Sequence, residues 1–120
     1  MKERRVLCYL RTHRRIWGLT QDELARLIGF GSATQISRLE KCKRGPSVET
    51  ALACQVLFGI SPSDMFPDLH REVEERVIRN AYHMHQGLAH TTNLPALRKR
   101  ELLMLALRRS VGKTKSLIEV

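Results

Sequence analysis

The chain has 120 residues, 42% of them hydrophobic and 28% charged, which is enough apolar material for one core with an appendage and too much for wholesale disorder. With 21 basic against 12 acidic side chains it carries +9, a balance that favours a polyanionic partner, nucleic acid above all. No apolar run approaches the roughly 18–20 residues of a membrane span, the basic start does not read as a signal peptide, and three cysteines without a CxxC pair predict free thiols in an intracellular, cytoplasmic protein.

The elements read as a series of short helices. From residue 3 to 17, Val6, Leu7, Leu10 and Trp17 recur at helical spacing with arginines on the other side, and Gly18 suits a left-handed cap. Thr20-Gln-Asp-Glu23 is a capping box, since the threonine oxygen and the glutamate can satisfy each other's backbone amides. It predicts a helix to about Ile28 with Leu24, Leu27 and Ile28 on its apolar face, ended by Gly29. A second box, Ser32-Ala-Thr-Gln35, predicts a helix over 33–41 that turns Ile36 and Leu39 inward. The basic loop that follows holds Lys43 and Arg44 and stops at Gly45-Pro46. Ser47 caps a helix over 48–58 expected to bury Ala51, Leu52, Cys54 or Val56, and Leu57, with Gly59 closing it. Ser61-Pro62 opens a single turn to Phe66, and Pro67 ends it.

The character changes after residue 67. Leu69, Val73, Val77, Ala81, Met84 and Leu88 step by four or three along a longer helix, a narrow apolar stripe. Thr91-Thr-Asn-Leu-Pro95 breaks it, a leucine-dense helix follows over 97–110, and the tail past Gly112 reads as frayed. The expected class is all-α, with one domain over 1–67 and a helical extension over 68–120. Charge does not separate them: residues 1–66 hold 11 basic and 6 acidic groups, and residues 67–120 hold 10 and 6.

The two helices around Gly29 carry the functional signal. Two short helices joined by a tight glycine turn make a helix-turn-helix, whose second helix can enter the major groove while the first crosses the backbone. Gln21, opening the first helix, suits a phosphate contact through its amide and the exposed backbone N–H groups. With Ile36 and Leu39 inward, the second helix presents Ala33, Thr34, Gln35, Ser37, Arg38 and Lys41, with Ser32 at its start. Arg38 can be bidentate to guanine, Thr34 offers a hydroxyl and a methyl, and Gln35 suits adenine when its amide is not consumed in the cap.

On these residues the sequence resembles the Cro and phage-repressor (XRE) type helix-turn-helix family. The resemblance covers residues 10–66. It rests on Leu10-Arg11, Gly18-Leu-Thr-Gln21, Glu23-Leu-Ala25, Leu27-Ile-Gly29, Ile36-Ser-Arg-Leu-Glu40, Lys43-Arg-Gly-Pro-Ser47, Glu49-Thr50, Leu57-Phe-Gly-Ile60 and Ser63-Asp-Met-Phe66. It implies a lambda-repressor-like five-helix domain followed here by two further helices. It implies DNA contacts at Gln21, along 33–41 and in the loop with Lys43 and Arg44. Glu40 becomes a structural acid paired with a basic residue of the first helix such as Arg11 or Arg14. Three features depart from the family pattern: the turn Gly29-Phe-Gly-Ser32 is one residue longer than the commonest form, Cys42 stands where glycine usually ends the recognition helix, and His13 stands at a usual leucine.

Other residues read more plainly. His83, His85 and His90 are too irregularly spaced for zinc, so no metal or cofactor is expected. Cys42 lies beside Lys41 and Lys43, which are expected to lower its pKa towards a redox role, against an ordinary thiol. Trp17 suits a core or edge anchor. No nucleophile with its base and no phosphate-cradling loop is present, so no enzyme is expected. The expected function is a DNA-binding transcriptional regulator, a repressor in type. It occupies double-stranded DNA as a homodimer through the C-terminal helices, since one small module buries too little to be selective. The rival readings are an antitoxin-like module whose C-terminal helices mask a protein partner, and an RNA-binding protein, which lacks an aromatic stacking platform.

Overall fold

The computed structural model describes residues 8–29, 31–42 and 45–118, with side chains up to Gly112. All regular structure among the described residues is helical, in the order α1 Leu10–Ile16, α2 Gln21–Ile28, α3 Ala33–Glu40, α4 Val48–Phe58, α5 Pro62–Met65, α6 Pro67–Gly87 and α7 Leu94–Ile118. The chain forms two compact units, Met1–Glu72 and Val73–Val120, with the division inside α6.

Local chemistry sets the helix ends in the first unit. Thr20 Oγ1 accepts from the Glu23 amide at 3.0 Å, and the Thr20 amide donates to Glu23 Oε1 at 2.9 Å, so the predicted capping box closes in both directions. The same backbone bond holds the Glu23 carboxyl below its ordinary range. Gly29 ends α2 at φ +87° with its amide on the Ala25 carbonyl, a conformation costly for a residue with a Cβ. Ser47 accepts from the Thr50 amide, and Ser61 caps α5 with Pro62 at the first helical position. Pro67 opens α6 rather than merely ending α5.

The core of this unit draws on every helix up to α5. Leu10, Leu24, Ala25, Ile36, Leu39, Cys54, Met65 and Phe66 are buried together, with Ile28, Phe58, Ile60 and Leu69 packed at its edge. Each fully buried large aliphatic side chain contributes about 1.5–3 kcal/mol. The Tyr9 amide donates to the Met65 carbonyl at 2.9 Å, tying the chain ahead of α1 to the end of α5.

Several expected faces are rotated. In α2, Leu27 is 57% exposed and Ala25 takes its place inside. In α4, Leu52, Val56 and Leu57 are exposed, Val56 by 87%, while Thr50 and Cys54 are buried. The inward Thr50 hydroxyl is satisfied by Ser47 Oγ at 2.9 Å, which removes the penalty for burying it. Trp17 is 70% exposed and is no core member. The expected helix start at residue 3, with Val6 and Leu7, lies outside the described residues.

In the second unit, α7 begins earlier and ends later than expected. Asn93 Oδ1 accepts from the Ala96 amide at 2.9 Å, an N-cap that places Pro95 in the first turn, where its missing N–H costs nothing. Gly112 sits within the helix at negative φ and does not stop it. Glu74 and Ile78 of α6 line a cleft together with Ala106, Arg109 and Ser110 of α7. Among the described residues of this unit Ala81 and Ala96 are buried, while Val77, Met84, Leu102 and Leu105 are exposed. No helix among the described residues is long and apolar enough to cross a membrane.

Candidate nucleic-acid interface

Helices α2 and α3 pack together across the turn that follows Gly29, with Leu24, Ile36 and Leu39 buried between them and the rest of the core. Burying Ile36 and Leu39 leaves one side of α3 outward. Thr34, Gln35, Arg38 and Lys41 are exposed there, Ser32 is exposed at its start, and Ala33 and Ser37 are half-buried. Lys43 and Arg44 lie outside the described residues. Arg38 makes no ion pair among the described residues.

The start of α3 departs from expectation. Ser32 is the N-cap in extended conformation, φ −154° and ψ 155°, yet its side chain accepts no amide. The second capping box is therefore not formed, and the Gln35 amide is not consumed in it. The α3 helix ends at Glu40, one residue short of the predicted end, and Lys41 is its C-cap.

Glu40 joins three helices. The Arg14 guanidinium donates to both of its carboxylate oxygens, Nε to Oε2 at 2.6 Å and Nη2 to Oε1 at 3.1 Å. Gln21 Nε2 donates to Oε1 at 3.1 Å, and Arg14 Nη1 donates to the Leu19 carbonyl at 2.8 Å. Arg14 is thus the partner, and the hydrogen bonds to Glu40 raise its pKa above the ordinary value. Sequence reasoning saw the acid and two possible partners but not the bond to Gln21, because nothing in spacing relates residues 21 and 40. Gln21 is half-buried, its side chain partly committed to Glu40, and its backbone amide lies in the open first turn of α2.

Residues 17–65 match the family model described as helix-turn-helix. Over this segment the chain is similar to the XRE-type helix-turn-helix regulators. Such a domain marks a DNA-binding regulator. No curated protein and no solved structure matches the chain.

Two of the three departures from the family pattern have structural accounts. His13 is half-buried, its ring 6.0 Å from that of Phe58 and tilted by 39°, so it packs as an aromatic edge where an aliphatic side chain is usual. Cys42 adopts φ +58°, the left-handed conformation that a glycine would take without strain. Its thiol does not match the expected lowering by Lys41 and Lys43. Burial raises it above the ordinary value, contact with the Cys8 thiol offsets part of this, and the Asp68 charge adds to it. No group of three or more His, Cys, Asp or Glu side chains among the described residues could hold a metal ion.

Proposed function

We propose that the protein is a sequence-specific transcriptional regulator, a repressor that occupies operator DNA with α3 in the major groove and performs no chemistry of its own. The observation that carries this is the outward face of α3, where Thr34, Gln35 and Arg38 stand exposed on a helix anchored by Ile36, Leu39 and Glu40. In this reading Arg38, Gln35 and Thr34 meet base edges, with Ala33 and Ser37 at close approach. Gln21, Ser32, Lys41, Lys43 and Arg44 meet phosphates. Residues 1–67 bind DNA, residues 68–120 serve association, and the protein works in the cytoplasm.

Selection of bound duplexes from a random pool tests this directly. Arg38→Ala is expected to cost about 1–3 kcal/mol on the selected site and relax preference at one base position. Gln21→Ala is expected to weaken all sequences alike. Binding is expected to fall steeply with salt, log K dropping about 0.9 for each phosphate neutralised. An Arg38→Ala variant weakened equally on every sequence, measured by fluorescence anisotropy, sinks the proposed register.

Association through the second unit is supported by the apolar side chains left outward on it. Val77 on α6 and Leu102 on α7 are more than half exposed, and such patches on a small soluble chain mark contact surfaces. A homodimer would address two half-sites about 34–36 Å apart. Val77→Glu is expected to convert a dimer to monomer in sedimentation, because the carboxylate would be buried without a counter-ion. A full-length chain that is monomeric at tens of micromolar and binds no second half-site removes the homodimer and leaves a protein partner as the occupant.

A further inference from the structure

Cys8 precedes α1 and Cys42 follows α3, yet the fold brings both thiols to the same end of the recognition helix. Cys8 Sγ is 3.9 Å from the Leu39 carbonyl oxygen and Cys42 Sγ is 3.8 Å from that of Glu40. The two thiols also perturb each other's ionisation. Cys54, by contrast, is 1% exposed in the core, and burial alone raises its thiol, to about 11. Both residues of the pair lie outside the helices, and Cys42 already holds a left-handed backbone.

We propose that Cys8 and Cys42 are a modification site, a dithiol that a low-molecular-weight disulfide closes to an intramolecular disulfide, shifting the turn behind the recognition helix. The less buried Cys42 reacts first. Its thiolate attacks one sulfur of R–S–S–R, the S–S bond breaks, and one R–S⁻ leaves. Cys8 then gives up its proton and attacks Cys42 Sγ, breaking the mixed disulfide and releasing the second R–S⁻. The two protons lost by the cysteines end on the two R–S⁻ groups, so two protein thiols are oxidised and one small disulfide is reduced.

Geometry favours the closure. Thiols set against the consecutive carbonyls of Leu39 and Glu40 need to approach to about 2.05 Å with a dihedral near 90°, and neither residue must leave a helix to do so. Burial, which pushes the Cys8 thiol up to about 12, slows the attack, but poorly stabilised thiolates also favour the disulfide at equilibrium. The bridge would tether the Lys41–Cys42 turn, and with it the start of the basic loop, to the chain ahead of α1. Its effect on DNA rests on the function proposed above; the bridge itself does not.

The test uses the full chain carrying Cys54→Ser, equilibrated across a series of oxidised and reduced glutathione. Peptide mapping without reductant is expected to find the Cys8–Cys42 link, with the thermal midpoint raised by about 10 °C. Affinity for a fluorescein-labelled random-sequence duplex at low salt is expected to fall about tenfold as Lys41 is drawn from its phosphate, and to return on reduction. Cys8→Ser and Cys42→Ser should each abolish all three effects. Free thiols or glutathione adducts alone at the oxidised end overturn the proposal. A mapped bridge with unchanged affinity overturns its regulatory step. A reduced protein that binds no duplex refutes the DNA reading instead, while mapping and midpoint still decide the bridge.

Discussion

Glu40→Ala should destabilise the first unit by about 3–5 kcal/mol, because it leaves the Arg14 guanidinium inside the fold without its counter-charge. The side chains of Arg14 and Glu40 are 11% and 3% exposed, so water cannot replace the lost partner, and Gln21 loses its acceptor in the same step. The unfolding midpoint should fall by more than 10 °C for a unit of this size. The exposed Asp22–Arg26 pair provides the control: its closest approach is 3.6 Å with both side chains about 70% exposed, and Asp22→Ala should cost under about 1 kcal/mol. Replacing both members, Arg14→Met with Glu40→Leu, should recover most of the stability, since a buried ion pair is costly to break but not costly to exchange for apolar packing. Urea denaturation of the three variants beside the parent chain decides the matter. A Glu40→Ala cost no larger than that of Asp22→Ala would mean that the α1–α2–α3 clamp contributes nothing to the fold.

The second large effect separates two leucines of α2. Leu24→Ala should cost about 2–5 kcal/mol, for the lost transfer energy and the cavity left behind. Leu27→Ala should stay within about 0.5 kcal/mol. Sequence periodicity put both on the apolar face, whereas Leu24 is fully buried and Leu27 is mostly exposed. Urea midpoints with unchanged slopes are the measurement. Equal costs for the two would rotate α2 about its axis and move Gln21 with it. That rotation would also undo the approach of Gln21 to Glu40.

The amino-acid sequence by itself determined where helices start and stop wherever the signal is local. The Thr20–Glu23 box, the Ser47 and Ser61 caps, and the left-handed Gly29 and Gly59 all lie where the sequence puts them, because these interactions span three or four residues and need no partner from elsewhere. Local rules misled at Ser32, where the extended N-cap forms without its side-chain bond, and at Gly112, a weak helix former that α7 passes through. Which side of each helix is buried was left to the tertiary structure. The α4 sequence is apolar nearly all round, so spacing could not choose between Thr50 with Cys54 and Leu52 with Val56; packing against α2 and α5 did. The outward face of α3 was legible because its two inward residues, Ile36 and Leu39, stand out among polar neighbours. The Arg14–Glu40–Gln21 network and the placing of Cys8 and Cys42 at one end of α3 were not, since each joins residues distant in the chain, and only the packed helices bring them together.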